Sequence, residues 1–301
     1  MIRKRTVLIL GAGASTHLGY PIGSTLRDEV CERALQGHVD AKIRAVYEPA
    51  QIGEFGRRLA RGAFGSVDAF LEENREFLRL GRLLMADPLK RRENFERPFP
   101  PNKPDWYEYL FNCLAGETPD ELPQNELTVV TFNYDRSLEY YLHQSIIYRY
   151  NIDETTALDL LSSIPIIHLH GILGEYPKFP YSDSNRTKVL EEIASQIKVV
   201  HEIDDTGDGF CSDEFKAAHD ALVQSENIFF LGFGFNEDNV RRLNFFTPES
   251  TDKRNVLAAT SYLYPLQRKE LGKKFAKYGL TETVFTGKSC SVFFKASARL
   301  D

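Results

Sequence analysis

Five short, near-continuous apolar runs, each stopping at small or polar residues, constrain this chain more than anything else in it. They are Thr6–Leu10, Leu127–Phe132, Ile164–Leu169, Asn227–Leu231 and Asn255–Ala259. A strand with one face in water alternates apolar and polar residues, whereas a strand covered on both faces does not. Separated by segments of helical spacing, these runs predict a βαβ rhythm: an α/β, Rossmann-like doubly wound parallel sheet. A sixth run, Ser291–Lys295, is read as an edge strand. The interval between the first two runs is too long for one crossover helix. It reads as helices over about 24–36, 40–61, 66–84 and 105–115, with Ser66 as the N-cap before Val67, Phe70, Leu71 and Leu78. The prolines at 98, 100, 101 and 104 break helix and link this lobe back toward the sheet. The expected organisation is a single domain, 1–301, with a core of 1–23 and 121–301 and a helical insertion lobe of 24–120.

Composition narrows the class. Of 301 residues, 42% are hydrophobic and 27% charged, which fits a globular chain and excludes a disordered one. A formal net charge of −6 gives no global basic field, so no direct nucleic-acid partner is expected. The basic stretch Lys90-Arg91-Arg92 is read as a solvated helix end. The four cysteines, Cys31, Cys113, Cys211 and Cys290, never form C-x-x-C, which argues against a zinc ribbon and a disulfide framework. Reduced thiols, no leader-like apolar segment and no apolar stretch of about 18 residues predict a cytoplasmic protein outside the membrane. The acidic segment Asp204–Gly209 lacks the glutamate that would close a calcium loop and is read as surface loop.

Chemistry concentrates where the runs end. Gly11-Ala12-Gly13-Ala14-Ser15 follows the first, continued by Gly19-Tyr20-Pro21. Glycines at such a turn let backbone approach a pyrophosphate while the next helix directs N–H groups at the anion. A plain strand–helix turn explains the pattern about as well, because the third glycine of G-x-G-x-x-G is replaced by Thr16. No acidic residue follows about twenty positions on, against an ordinary NAD dehydrogenase. Thr131-Phe-Asn133-Tyr-Asp135 ends the second run; Asp135 could simply cap the next helix, but Asn133 needs a polar partner there. His168-Leu-His170-Gly171 ends the third, and strand alternation is expected to set both imidazoles on one side. His168, deeper in the strand, reads as structural; His170 reads as an acid or base. Gly232-Phe-Gly234-Phe-Asn236 ends the fourth, where backbone could pass close to a ribose or phosphate.

Taken in this order, the four motifs resemble the NAD-binding core of the sirtuin superfamily: G-A-G-x-S…G-x-P, T-x-N-x-D, H-G and a glycine-rich strand end. Ser66–Leu71 and Gly232–Asn236 look more like the prokaryotic NAD-hydrolase branch found in antiphage defence than like histone deacetylases. The resemblance implies that Gly11, Ala12, Gly13 and Ser15 hold the pyrophosphate, with Pro21 and Thr131 part of the same binding motifs. It implies that Asn133 positions the water or the nicotinamide ribose, Asp135 grips the carboxamide, and His170 is the base. Gly232 and Gly234 would line the adenosine side, with Asn236 a weaker candidate. Several features depart from the deacylase pattern. Only Cys211 stands where a zinc module of paired cysteines would follow the histidine, so no zinc or other metal is expected. Gly23-Ser24 replaces a phenylalanine–arginine pair, and Ala258–Ser261 lacks the asparagine that usually holds the adenosine ribose.

The function so implied is hydrolysis of NAD, as substrate, at its nicotinamide–ribose bond. Two alternatives stand beside it: an NAD-dependent protein deacylase or ADP-ribosyltransferase on the same core, and a non-catalytic NAD or ADP-ribose sensor. A free NAD hydrolase would be toxic unless restrained. Control by homo-oligomerisation or a regulatory protein partner is therefore expected, acting through the lobe at 24–120 or the segment 172–215.

Overall fold

The computed structural model describes residues 1–101, 105–182, 186–199, 212–245, 255–259, 263–277, 284–286, 288–296 and 300. The expected loop at Asp204–Gly209, Cys211 and the pair Thr260-Ser261 lie outside the described residues. Strands β1 (Thr6–Leu10), β2 (Leu127–Thr131), β3 (Ile166–His168), β4 (Asn227–Leu231), β5 (Asn255–Ala259) and β6 (Val284–Thr286) form one six-stranded sheet. All neighbours are parallel, in the order β3-β2-β1-β4-β5-β6. This is the doubly wound α/β architecture the apolar runs predict. Its two halves diverge between β1 and β4, and in such sheets the crevice beyond the carboxyl ends at that point receives ligands.

Both faces of the sheet are covered, which is why its strands carry no polar alternation. Leu8, Leu10, Val129 and Phe229 face one apolar cluster, which also takes in helices from the 24–120 stretch. Val7, Ile9, Val130, Ile228 and Phe230 face a second cluster with Phe215 and Phe275. Each strand thus places successive side chains into two different cores.

The lobe contains α1 (Gly23–Gln36), α2 (Ala41–Val46), α3 (Pro49–Arg61), α4 (Val67–Glu73), α5 (Leu78–Lys90) and α6 (Trp106–Leu114). Ser66 caps α4 as expected, its hydroxyl accepting from the Ala69 N–H at 3.1 Å. Two expected helices are each broken in two. The 40–61 helix stops at Val46 and restarts with Pro49 at the first position of α3, where its missing N–H costs nothing. The 66–84 helix stops at Asn74, whose side-chain amide turns back onto the Phe70 carbonyl at 2.8 Å, a local bond that competes with helix continuation.

Two further expectations are corrected. Ser291–Lys295 lies within a helix, Cys290–Ala296, and the sixth strand is Val284–Thr286. Cys290, Phe293 and Phe294 are buried at spacings of three and four, a helical period that a five-residue window does not separate from a strand. Lys90-Arg91-Arg92 does end a helix, but not a solvated one. Lys90 is 3% exposed and paired with buried Glu93, while Arg91 and Arg92 bind Asp87 and Glu29.

After the lobe, α7 (Ser137–Tyr150) and α8 (Glu154–Ser162) join β2 to β3, α9 (Arg186–Ser195) and α10 (Asp213–Gln224) precede β4, and α11 (Glu237–Arg242) follows it. Among the described residues, no helix is long and apolar enough to cross a membrane.

Candidate active site

Two strand-end turns lock together at the point where the sheet divides. The Gly11 N–H donates to the Leu231 carbonyl and the Gly13 N–H to the Gly232 carbonyl, each at 3.0 Å. A Cβ at Gly11 would lie 2.6 Å from the Phe233 Cα. One at Gly232, which sits at φ +59°, would lie 2.1 Å from the Ala14 nitrogen. Close approach of two backbones therefore demands both glycines. Gly234 is different: a Cβ there would meet nothing within 4 Å, on the wall of a cavity. Gly232→Ala should consequently cost about 2–4 kcal/mol in a urea titration, from left-handed strain plus a backbone clash. Gly234→Ala should leave stability unchanged and reduce only ligand affinity.

After Gly11 the chain does not enter an α-helix directly. Ala12–Leu18 is a 3₁₀ helix that ends at Gly19 in the left-handed region, and Tyr20-Pro21-Ile22 leads to α1 at Gly23. No side chain caps α1, and Ile22 and Gly23 line the same cavity, so the free N–H groups of a 14-residue helix open beside it.

That cavity, about 440 Å³, falls within the range of small-molecule sites. It lies beyond the carboxyl ends of β1, β2, β3 and β4. Gly11, Ala12, Gly13, Pro21, Asn133, Asp135, His170, Gly232, Gly234 and Asn236 all line it, so residues distant in sequence share one wall. Ser15 and Thr131 are buried and do not line it. Thr131 Oγ1 accepts the Asn133 N–H at 3.0 Å, and Ser15 Oγ accepts from Asn133 Nδ2 at 3.1 Å. Ser15 also hydrogen-bonds Asp135, so this hydroxyl ties the two lining side chains together. Asn236 lines the cavity, but its oxygen is spent capping α11, accepting from Asp238 and Asn239 at 2.9 and 3.3 Å.

Asn133 is held on three sides, through its N–H, its amide nitrogen and its carbonyl, which accepts from His168 Nδ1 at 3.0 Å. Its Oδ1 remains buried without a hydrogen-bond partner among the described residues. Asp135 accepts from the Ser137 N–H at 3.3 Å and from the Ser137 hydroxyl, at the start of α7. It therefore stabilises the helix start and faces the cavity at once. Burial raises its pKa, the bonds from Ser137 and Ser15 opposing that rise.

The two histidines part company, contrary to the expectation of one shared side. β3 stops at His168, and His170 lies in the turn beyond it. Gly171, at φ +74°, permits that turn; a Cβ there would be 2.0 Å from the Gln196 carbonyl oxygen. His168 binds Glu139 at 2.6 Å and lines a separate groove. Burial opposes its charge, but the Glu139 carboxylate and the bonds to both nitrogens outweigh that and raise its pKa. It is the structural histidine, and it fixes Asn133.

His170 has no such support. Its ring meets Phe132 edge-on at 5.2 Å and Phe215 at 6.4 Å, it is 7% exposed, and its Nε2 is buried without a hydrogen-bond partner among the described residues. Burial holds its pKa down to about 4; the Arg242 charge pushes the same way and Asp68 pushes back. The ring is therefore neutral at pH 7. Because the folded pKa lies below the ordinary value near 6.5, the unfolded chain binds more protons between those values. Stability should fall as pH drops through that window, by about 3 kcal/mol once below it. Thermal melts at pH 7 and 4.5 check this: His170→Gln should flatten the wild-type loss.

Sequence reasoning missed a further set of lining residues. Ser66, Asp68 and Glu72 of the α4 region line the cavity, as do Tyr134 and Arg242, and the Tyr134 hydroxyl donates to Asp68. The available signal was the i, i+4 spacing of Asp68 and Glu72 against buried Val67, Phe70 and Leu71.

A model of the SIR2-like domain matches residues 127–283, just over half of the chain. The chain belongs to the SIR2-like domain family. The matched span carries Asn133, Asp135, His170, Gly232 and Gly234, and the interlocked turns bring in Gly11–Gly13 from outside it. SIR2-like domains are generally those of NAD-dependent enzymes, which points to an NAD-related activity for the chain. No curated protein matches the chain.

Proposed function

We propose that this SIR2-like protein hydrolyses NAD to ADP-ribose and nicotinamide. The observation that carries the reading is the pair of buried, unpartnered polar atoms, His170 Nε2 and Asn133 Oδ1, on the wall of one cavity. Leaving such atoms unsatisfied costs free energy in the empty protein, a cost that a polar ligand or an ordered water relieves. Space beside Gly234 and the N–H groups at the start of α1 suit a dinucleotide with its phosphates.

In the proposed reaction the C1′–N bond breaks, its electron pair going to the nicotinamide ring nitrogen. A water oxygen bonds to C1′ from the opposite face. Asn133 Oδ1 orients that water or a ribose hydroxyl, and His170 Nε2, neutral at pH 7, takes the water proton. Asp135 faces the carboxamide, where its protonation state matters less than its fixed position. The resemblance of residues 66–71 and 232–236 to the prokaryotic NAD-hydrolase branch supports placing the protein among NAD-consuming effectors of antiphage defence. The lobe that supplies α4 is then the element through which an oligomer or partner would restrain the enzyme.

Incubating purified protein with NAD, alone and with an acetylated peptide, tests this reading. Equal amounts of nicotinamide and ADP-ribose without peptide are expected. Consumption only with peptide would make it a deacylase, and binding without consumption a sensor.

A further inference from the structure

Four carboxylates line the cavity, Asp68, Glu72, Asp135 and Asp238, yet a dinucleotide brings two phosphates. Among the described residues lining it, Arg242 is the single lysine or arginine. Its side chain is 13% exposed and projects from α11, on the β4 side of the site. Its recorded partner is Glu72 of α4, on the lobe side, at 3.8 Å, an ion pair beyond hydrogen-bonding distance. Burial raises the pKa of Glu72 and the Arg242 charge lowers it, as expected of a carboxylate held near a cation at the edge of a cavity. A guanidinium that is largely buried and, among the described residues, without a carboxylate at hydrogen-bonding distance is poised to take a better anion.

We infer that Arg242 is a phosphate-binding residue of this cavity, and that Glu72 is the anion it exchanges for the ligand's phosphate. The inference rests on the proposed NAD reading and extends it to a residue outside the four strand-end motifs. It makes the two members of the pair respond in opposite directions. Removing Arg242 deletes a charge-assisted contact to phosphate, whereas neutralising Glu72 deletes a competitor for it. Because the pair joins α4 to α11, ligand binding also loosens the lobe's grip on the core at this point.

Calorimetric titration with ADP and with adenosine, which lacks phosphate, tests this without turnover. In Arg242→Met, ADP binding should weaken about ten- to a hundred-fold while adenosine binding is unchanged. Arg242→Lys should recover part of the loss, and Glu72→Gln should tighten ADP binding. The inference is overturned if Arg242→Met binds ADP as wild type does, if it weakens ADP and adenosine alike, or if Glu72→Gln weakens ADP. Wild-type protein that binds neither compound would overturn the NAD reading as well.

Discussion

Replacing His170 with alanine should lower the rate of NAD cleavage about a hundred- to ten-thousand-fold, the usual contribution of a positioned general base. The size of the effect follows from what this imidazole does and does not touch. Its ring packs on Phe132 and Phe215, and its Nε2 donates to and accepts from nothing among the described residues. Its backbone is held independently, the His170 carbonyl accepting the Lys198 N–H at 2.9 Å. The substitution therefore removes a base without breaking a side-chain bond, and substrate affinity should change far less than kcat. Asn133→Ala should show the same division, because the Thr131 and His168 contacts reach its backbone and survive. In the wild type, the acid limb of kcat/KM should fall near pH 4 instead of near the ordinary histidine value. Steady-state release of nicotinamide across pH measures all three.

The largest expected effect on stability lies one residue beyond Asp135. Arg136 is fully buried and every guanidinium nitrogen is engaged. Its Nε and one Nη bond Glu93 at 2.8 and 3.1 Å, and the two Nη groups reach the carbonyls of Gly174, Phe179 and Pro180. Glu93 also accepts from Lys90 and from the Ser182 N–H at 3.0 Å. The network thus ties the end of the lobe and the loop after β3 to the start of α7. Glu93→Gln would take from buried Arg136 the carboxylate charge that its Nε and one Nη bond, and Arg136→Met would strip three carbonyls of a donor. Each should cost about 3–5 kcal/mol in a urea titration, as removal of one partner from a buried ion pair does. The Glu93→Gln, Arg136→Met double variant should cost less than the sum of the two singles, since the two side chains share one interaction.

Much of this was legible in the sequence for a physical reason. Strands buried on both faces must be apolar throughout, so β1, β4 and β5 stand at the bounds of their apolar runs. Asn133 and His170 were legible because polar residues at the ends of such strands demand an explanation. The lining residues of α4 and α11 were not. Asp68 and Glu72 sit on an amphipathic helix whose polar face ordinarily faces water, and Arg242 ends a short helix among other charges. Only the folded chain turns these residues toward β2 and β4. The glycines carried a mixed message: Gly11 and Gly232 are required by each other's backbone, while Gly234 opens onto free space.

The structure of the His170→Ala protein soaked with NAD tests the central claim most directly, since slow turnover preserves the intact dinucleotide. The account predicts NAD within the cavity between the Gly11 turn and Gly234, its nicotinamide ribose beside Asn133 and the vacated position of the ring. NAD bound elsewhere, or in this cavity with its adenine end against Asn133, would contradict it.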